Sequence, residues 1–523
     1  MLTYAEVLRT IKDLIVSRSF VRPIGEGPEA EAALDLIMET VSVLDYDTDY
    51  FPAAGIDQIT NDSRKLVNNG VFVAISGAEF DGRKFIPQAL EKGAKVIISE
   101  SVAEDMLLPG RVNLVVKNSY KAYAKLCEAA NGYPADAMNS FAITGTNGKT
   151  TSAMMIRFLL NESQKPCGMI STVEYDVGNG NITAAERTTP EAAELFGCIK
   201  SMKDNGLKNF VMEVSSHAAA QSRIGSMQFK AAIFTNLTGD HLDYHHTMEE
   251  YFLAKKRLFT EHLHASGKAV INTDDEYGKR LAKDIPDKQL VTFGCSNAMW
   301  RIENISSGSS GSTFELVRGE IRRKFAINLC GLYNVYNTAG AVLALAECGV
   351  LPLEKSAGIL QNSHFSVPGR LESFTLPNGA TVFVDYAHTP DALKNVLTTL
   401  KNLPHNRLIT LFGCGGDRDK SKRPVMGKIA AELSDQVYLT SDNPRREDPE
   451  TIINEIKSSI APDFKHLHVT ADRKLAIETA LQNTRSGDIV LIAGKGHEDY
   501  QEINGVKHHF DDREIVKAHC LKS

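Results

Sequence analysis

The sequence predicts an α/β fold built from several units in series. Two observations carry that prediction. Short β-branched or apolar runs recur along the chain, each followed by a turn and then by a helical pattern. The length, 523 residues, has room for about three domains. In order, the runs are AKVIISE (94–100), VNLVVK (112–117), SFAITG (140–145), NFVMEVSS (209–216), AAIFTNL (231–237), KAVINTD (268–274), RLITLFG (407–413), QVYLTS (436–441) and DIVLIAG (488–494). Continuous apolar runs are the habit of strands buried on both faces of a parallel sheet. The segments between them therefore read as crossover helices.

At the N-terminus, MLTYAEVLRTIKDLIV (1–16) is amphipathic. Glu6, Arg9, Lys12 and Asp13 interrupt the apolar core that a secretory signal needs. Turn-rich stretches at Tyr133–Asn139 and Ser366–Gly369 precede fresh strands. They set boundaries near 138 and 366, and so the stretches 1–138, 139–366 and 367–523. Within the middle stretch, WRIENI (300–305) and TFELVRG (313–319) flank a Ser/Gly tip and predict a small β-excursion.

Composition narrows the function classes. With 43% apolar and 24% charged residues, the chain is neither disordered nor fibrous. A formal net charge of −7 gives no sign of a nucleic-acid binder. No apolar run is long enough to span a bilayer. The eight cysteines stand singly, without zinc spacing, and read as reduced thiols of a cytoplasmic protein. The closing Cys-Leu-Lys-Ser has Lys522 where a prenylation box needs an aliphatic residue.

The strongest local signal is Phe141-Ala-Ile-Thr-Gly-Thr-Asn-Gly-Lys-Thr-Thr151. An apolar run ends in a glycine-bearing turn, and Lys149, Thr150 and Thr151 open a helical pattern. Gly145 and Gly148 let backbone N–H groups approach phosphate oxygens, with Thr146 and Asn147 between them. Lys149 would reach the β/γ-phosphates, and the Thr150 hydroxyl would ligate Mg²⁺. The usual P-loop has a glycine where Ile143 stands.

Glu213 closes the run NFVMEVSSH, a place from which a carboxylate can hold Mg²⁺ beside a phosphate loop, or act as a loop acid. His241, in Thr238-Gly-Asp-His, could ligate a metal, touch a phosphate or be structural. In MEEYFLAKKRLFTEHL, Met248, Phe252, Phe259 and Leu263 fall on one helical stripe, and Lys255 falls inside it. A lysine on a buried face must be paired, snorkelling or chemically altered.

The TGTNGKT loop resembles that of the Mur ligases and folylpolyglutamate synthetases. The downstream motifs Gly331-Leu-Tyr-Asn-Val-Tyr-Asn337, Val367-Pro-Gly-Arg-Leu-Glu372 and Val384-Asp-Tyr-Ala-His388 extend the resemblance to the Mur ligases over nearly the whole chain. That resemblance implies three domains: a UDP-sugar-binding α/β domain, a central ATP-binding parallel-sheet domain and a C-terminal Rossmann-like α/β domain that binds an amino acid. It implies Lys149, Glu213, His241 and a carbamylated Lys255 as catalytic residues, with Thr150, Glu213, His241 and the carbamate around Mg²⁺. ATP would also meet Asn334, Asn337, Arg370, Asp385 and His388.

Asn61-Asp-Ser-Arg64 and Ala78-Glu-Phe80 resemble the uridine diphosphate site, through Asn61, Ser63, Ala78, Glu79 and Phe80. Thr188, Thr189, Ser215, Gln221 and Arg223 resemble the muramoyl-dipeptide cradle. The segment before residue 55 is longer than the family start. Asp442-Asn443-Pro444-Arg445 is the pattern of family members that add meso-diaminopimelate. Its arginine can bind the second carboxylate, which lysine lacks. Arg418, Gly494 and Glu498 complete that pocket, with Glu498 suited to the distal ammonium.

The implied reaction is ATP-dependent. It joins meso-diaminopimelate to the D-Glu γ-carboxylate of UDP-N-acetylmuramoyl-L-Ala-D-Glu through an acyl phosphate, in a cytoplasmic monomer with no nucleic-acid or membrane partner. The same ligase using L-lysine, a folylpolyglutamate-type ligase and an inactive nucleotide binder stay open. The UDP-like first domain argues against the second of these, and the intact catalytic set against the third.

Overall fold

The computed structural model describes residues 2–20, 55–77, 81–101, 112–308, 311–363 and 365–521. The readings of Ala78, Glu79 and Phe80, and most of the segment before residue 55, lie outside the described residues. The chain forms two compact units: residues 1–140 with 167–229, and residues 141–166 with 230–523.

In the first unit a five-stranded sheet runs in the order Ile15–Phe20, Val112–Val116, Val96–Ser99, Val71–Val73, Ile59–Thr60. Only its Ile15–Phe20 edge is antiparallel. That edge departs from the sequence reading. The N-terminal helix covers only Tyr4–Ile11, and the β-branched Ile-Val pair behind it joins the sheet. Thr3 and Glu6 fix the helix start as a reciprocal capping box. In the same unit Asn209–Glu213 pairs in parallel with Cys167–Ile170, which continues into the antiparallel strands Glu174–Asp176 and Ile182–Ala184.

Among the described residues the second unit holds two large sheets and a separate two-stranded hairpin. The strands Asn139–Thr144, Phe229–Phe234, Leu263–Asn272 and Leu290–Gly294 lie side by side. The expected β-excursion follows as an antiparallel meander, Trp300–Gly308, Gly311–Arg318 and Ile321–Ile327, one strand larger than the sequence suggests. Helix Met248–Thr260 stops one turn early, so Leu263 opens a strand instead of closing the apolar stripe. Tyr251 and Leu258 join Phe252, Lys255 and Phe259 on the buried face, while Met248 is only half-buried.

The other sheet runs Glu372–Thr375, Thr381–Asp385, Ile489–Ala493, Leu408–Phe412, Gln436–Leu439, Leu467–Val469, parallel after its first pair. Its four central strands are buried on both faces. Leu408 and Phe412 pack with the helices Pro390–Lys401, Lys422–Leu433 and Pro449–Lys457. Ile409 and Leu411 pack on the opposite side with Arg473–Gln482 and Asp512–Cys520. This is why LITLF is buried throughout and apolar except for Thr410, whose hydroxyl is bonded to that of Ser434 (2.7 Å). Among the described residues no helix is long and apolar enough to cross a membrane.

Candidate active site

The strand, turn and helix expected around the phosphate-loop motif form in that order. Strand Asn139–Thr144 delivers the chain to Gly145, and helix Lys149–Glu162 begins directly after Gly148. Gly148 has a φ of +86°, and a Cβ there would stand 2.2 Å from Asn337 Oδ1. The position thus excludes side chains by conformation and by space. The loop is pinned from the neighbouring strand end: Asn147 N–H donates to Asn236 Oδ1 (3.0 Å), and the Thr235 hydroxyl donates to Asn147 O (2.6 Å).

Two lysines converge on this loop. Lys149 Nζ donates to the carbonyls of Gly145 (2.9 Å) and Thr146 (2.8 Å). Lys255 Nζ donates to the same Gly145 carbonyl at 2.9 Å, lies 3.5 Å from Thr144 Oγ1 and sits 4.7 Å over the Tyr251 ring. Lys255 is 1% exposed. Burial, reinforced by the charge of Lys149, pushes its amine well below the usual lysine range. The two amines share one carbonyl, and the charge of Asp240 acts on both.

Tyr251, one helical turn before Lys255, lies within hydrogen-bond reach of Thr146 Oγ1 (3.2 Å) and meets the His241 ring edge-on. The sequence reading missed it, because an aromatic on an apolar stripe looks like plain core. His241 caps the short helix Leu242–His245 with a φ of +54°, and its imidazole lies 3.6 Å from Asp240.

Thr150 is buried at the helix start. The Thr238 hydroxyl is buried without a partner among the described residues, while Thr238 N–H donates to Thr146 Oγ1. Glu213 belongs to the first unit. It is fully buried and accepts from the backbone N–H and hydroxyl of Thr172 at 2.9 and 3.0 Å. Mg²⁺ prefers hard oxygen donors, takes few from the protein and keeps waters and phosphate oxygens. The buried Thr150 hydroxyl in the second unit is a donor of that kind, and the Glu213 carboxylate is one in the first.

Asn334 and Asn337 are both buried on helix Leu332–Glu347, which places Asn337 against Gly148. Arg370 lies over the Tyr386 ring at 4.3 Å. His388 bonds the Tyr386 carbonyl through Nδ1. Both oxygens of Asp385 are engaged, by the N–H groups of Leu371 (2.7 Å) and Ala387 (2.8 Å). Burial raises its carboxyl, with Arg370 opposing.

In the first unit, Ser63 donates to Gln88 Oε1 at 2.6 Å, and Asn61 is exposed. Thr188 accepts from Thr172 Oγ1 (3.1 Å). Thr189 donates to Glu213 O, and Ser215 caps the helix Ser216–Ala220. Arg223 is already engaged. Its Nε and Nη2 donate to Gln221 Oε1, Nη1 donates to Thr189 O, and Glu191 stands 2.9 Å away.

Four neighbouring parallel strands of the C-terminal sheet end in the remaining predicted residues: Asp385–His388, Gly413–Arg418, Ser441–Arg445 and Gly494–Glu498. The carboxyl ends of such strands form the binding crevice of open α/β sheets. The loops are cross-braced. Gly416 N–H donates to Asn443 O (2.9 Å), and Arg445 Nη1 donates to Gly416 O (2.9 Å). Pro444 O and Asp442 Oδ2 occupy the space where Gly416 and Gly494 would carry a Cβ, at 1.9 and 2.5 Å.

Arg418 is exposed. Glu498 is not an open acid: it accepts from Asn443 Nδ2 (2.8 Å) and lies 3.3 Å from the fully buried Lys495. Burial raises the Glu498 carboxyl. Lys495, Arg423 and Glu447 were missed in the sequence, where charged residues near turns read as solvent-facing.

Three family models match the chain in order: "Mur ligase family, catalytic domain" over 55–132, "Mur ligase middle domain" over 143–345 and "Mur ligase, glutamate ligase domain" over 369–496. A UDP-N-acetylmuramoyl-L-alanyl-D-glutamate–2,6-diaminopimelate ligase from Clostridium tetani is 41% identical over 465 residues, 88% of this chain and 94% of that protein. The chain belongs to the Mur ligase family. A solved structure of a ligase of the same name matches with a TM-score of 0.64 and 34% identity, covering 90% of this chain and 96% of that one. Mycobacterium tuberculosis folylpolyglutamate synthase, solved with ADP, has a TM-score of 0.57 and 18% identity. It shares the fold over 71% of this chain and 91% of its own. The Mur ligase likeness thus reaches parts of the chain that the folate-type fold does not.

Proposed function

We infer that this chain is an ATP-dependent ligase joining meso-2,6-diaminopimelate to the D-Glu γ-carboxylate of UDP-N-acetylmuramoyl-L-Ala-D-Glu, in cytoplasmic peptidoglycan precursor synthesis. The observation that carries the amino-acid assignment is Arg445. It stands at a strand-end crevice, is braced to the loop that bears Arg418, and offers a guanidinium where the second carboxylate of diaminopimelate must be read. Relatives aligned over nearly the whole chain bear the name of that reaction.

In this reading the γ-carboxylate attacks the γ-phosphorus of ATP and ADP leaves. The amine of diaminopimelate then attacks the acyl phosphate, and the tetrahedral intermediate releases phosphate and a proton to leave the amide. Lys149 neutralises phosphate charge and the phosphate-loop N–H groups orient it. Asn334, Asn337, Arg370, Asp385 and His388 surround the nucleotide. Asn61, Ser63, Ala78–Phe80, Thr188, Thr189, Ser215, Gln221 and Arg223 hold the UDP substrate. Thr150, Glu213, His241 and a carbamate on Lys255 are the residues that would hold Mg²⁺, which would supply further charge neutralisation. The burial of Lys255 with no carboxylate partner among the described residues supports that modification. The division into 1–138, 139–366 and 367–523 and a monomeric state belong to the same proposal.

The test is phosphate release from ATP with the UDP-muramoyl-dipeptide, comparing meso-diaminopimelate with L-lysine. Turnover with diaminopimelate alone is expected. Turnover with lysine instead would overturn the role given to Arg445, and none with either would overturn the ligase.

A further inference from the structure

The hairpin Tyr500–Ile503 and Val506–His509 is a two-stranded sheet of its own. It turns at Asn504-Gly505, both with positive φ (50° and 78°), the twist that a two-residue hairpin loop requires. Isolated hairpins are marginal in water. The second strand is exposed at every position. The first is held by the loop that carries Arg445.

Successive residues of that strand attach to successive residues of the loop. Gln501 Nε2 donates to Asp442 O at 2.7 Å. Glu502 N–H donates to Asn443 Oδ1 at 2.9 Å. Arg445 N–H donates to Glu502 O (3.0 Å), and Asn504 N–H donates to Arg445 O (2.6 Å). The Glu502 carboxylate lies 3.3 Å from Arg445 Nε. Beneath this, Lys495, with no exposed surface, ties Asn443 Oδ1 (3.2 Å) to the Tyr500 carbonyl.

Arg445 itself sits at a φ of +52°, a left-handed conformation that costs a non-glycine residue about 1–2 kcal/mol. Nothing local in Asp-Asn-Pro-Arg requires it; the two backbone bonds to the hairpin hold it there. With Nε facing Glu502 and Nη1 bonded to Gly416 O, Nη2 is left without a protein acceptor among the described residues.

We propose that Glu502, on this hairpin, is a specificity-determining positioning residue. It fixes the Arg445 guanidinium so that one edge alone is offered to the distal carboxylate of the incoming amino acid. This rests on the reading of Arg445 given above. A fixed guanidinium rewards a carboxylate at one place and repels the lone ammonium of lysine there. A swinging one can retreat from lysine and loses that discrimination.

The test uses the full chain, with phosphate release measured for diaminopimelate and for L-lysine. Glu502→Ala is expected to raise KM for diaminopimelate by roughly tenfold or more, because the guanidinium loses the ion pair that fixes it, with a much smaller change in kcat. KM for ATP and for the UDP substrate stays at the wild-type value, and the diaminopimelate-to-lysine ratio of kcat/KM falls with the KM effect. Glu502→Gln keeps an acceptor opposite Nε and is expected to recover part of the loss. Asn504→Pro, which cannot adopt the positive φ of the turn, opens the hairpin by a second route and is expected to raise the same KM.

Wild-type KM and selectivity in Glu502→Ala and Asn504→Pro, alongside a large loss in Arg445→Ala, would overturn this inference alone. An Arg445→Ala variant that kept wild-type selectivity would overturn the reading it rests on.

Discussion

The phosphate loop and the C-terminal crevice both gather cations, but they hold them differently. At the loop, Lys149 and Lys255 share the Gly145 carbonyl. In the crevice three cations face carboxylates: Arg445 faces Glu502, Lys495 faces Glu498, and Arg423 faces Glu447 and Glu455. A carbonyl is a weak partner that an incoming phosphate can replace. A carboxylate at ion-pair distance fixes the side chain before the ligand arrives. The first arrangement suits neutralisation of charge that develops during reaction, the second suits discrimination between ligands. Substitutions should therefore cost turnover at the loop and selectivity or stability in the crevice.

The largest effect is expected at Lys149. Lys149→Ala removes a cation of the loop and should lower kcat by roughly 10²–10³-fold, the usual loss of one transition-state charge stabiliser. Steady-state phosphate release measures it. Retention of near-wild-type kcat would mean that the loop does not neutralise phosphate charge.

Lys255 gives a sharper version of the same contrast. A carbamate forms on an amine, so Lys255→Arg keeps the positive charge but cannot be modified. It should lose roughly as much activity as Lys149→Ala. Wild-type enzyme stripped of CO₂ should lose activity reversibly and regain it with bicarbonate. Indifference to bicarbonate would leave Lys255 as a buried cation bonded to Gly145.

Legibility in the sequence divides along the same line. The strands and the phosphate loop could be read because their causes are local: unbroken apolar runs, glycines at the turn, and Lys-Thr at a helix start. The burial of Lys255 could be read from its spacing to Phe252 and Phe259. The braces of the crevice could not. Arg423 lies in Asp-Arg-Asp-Lys-Ser-Lys-Arg, which looks solvated, yet its side chain has no exposed surface because Glu447 and Glu455 meet it from another segment. Glu498 looked like a partner for a ligand ammonium because nothing nearby in sequence shows that Lys495 folds back onto it. Asn504-Gly505 did carry a hairpin signal, but its target, Arg445, lies some sixty residues earlier.

Arg423 tests whether the crevice braces carry stability as well as geometry. Arg423→Met leaves Glu455 without this counter-charge and Glu447 with Lys420 alone, and frees the Gly415 carbonyl to which Arg423 also donates (3.1 Å). Breaking a buried pair from one side costs about 3 kcal/mol. Thermal or denaturant unfolding should show a loss of that order, with KM for diaminopimelate raised and KM for ATP unchanged. A variant as stable as the wild type would mean that the pair only fills space.

The smallest effect expected is a pH dependence at the other end of that brace. The Arg423 guanidinium holds the Glu447 carboxyl down to about 2 from an ordinary 4.5, helped by the Asp417 N–H (2.6 Å) and Lys420 (3.0 Å). A carboxyl held lower in the folded chain than in the unfolded one stabilises the fold fully above the unfolded value. That stabilisation is lost as pH falls from about 4.5 toward 2, where the folded chain must also take up the proton. Glu447→Gln removes the proton-binding difference, so its stability should fall less steeply than that of the wild type across this window. At neutral pH the variant should be the less stable of the two, because the amide gives Arg423 a neutral acceptor in place of a charged one. Denaturant unfolding of both proteins between pH 2.5 and 6 compares the slopes directly. Parallel slopes would mean that Glu447 braces the loop by shape and not by charge.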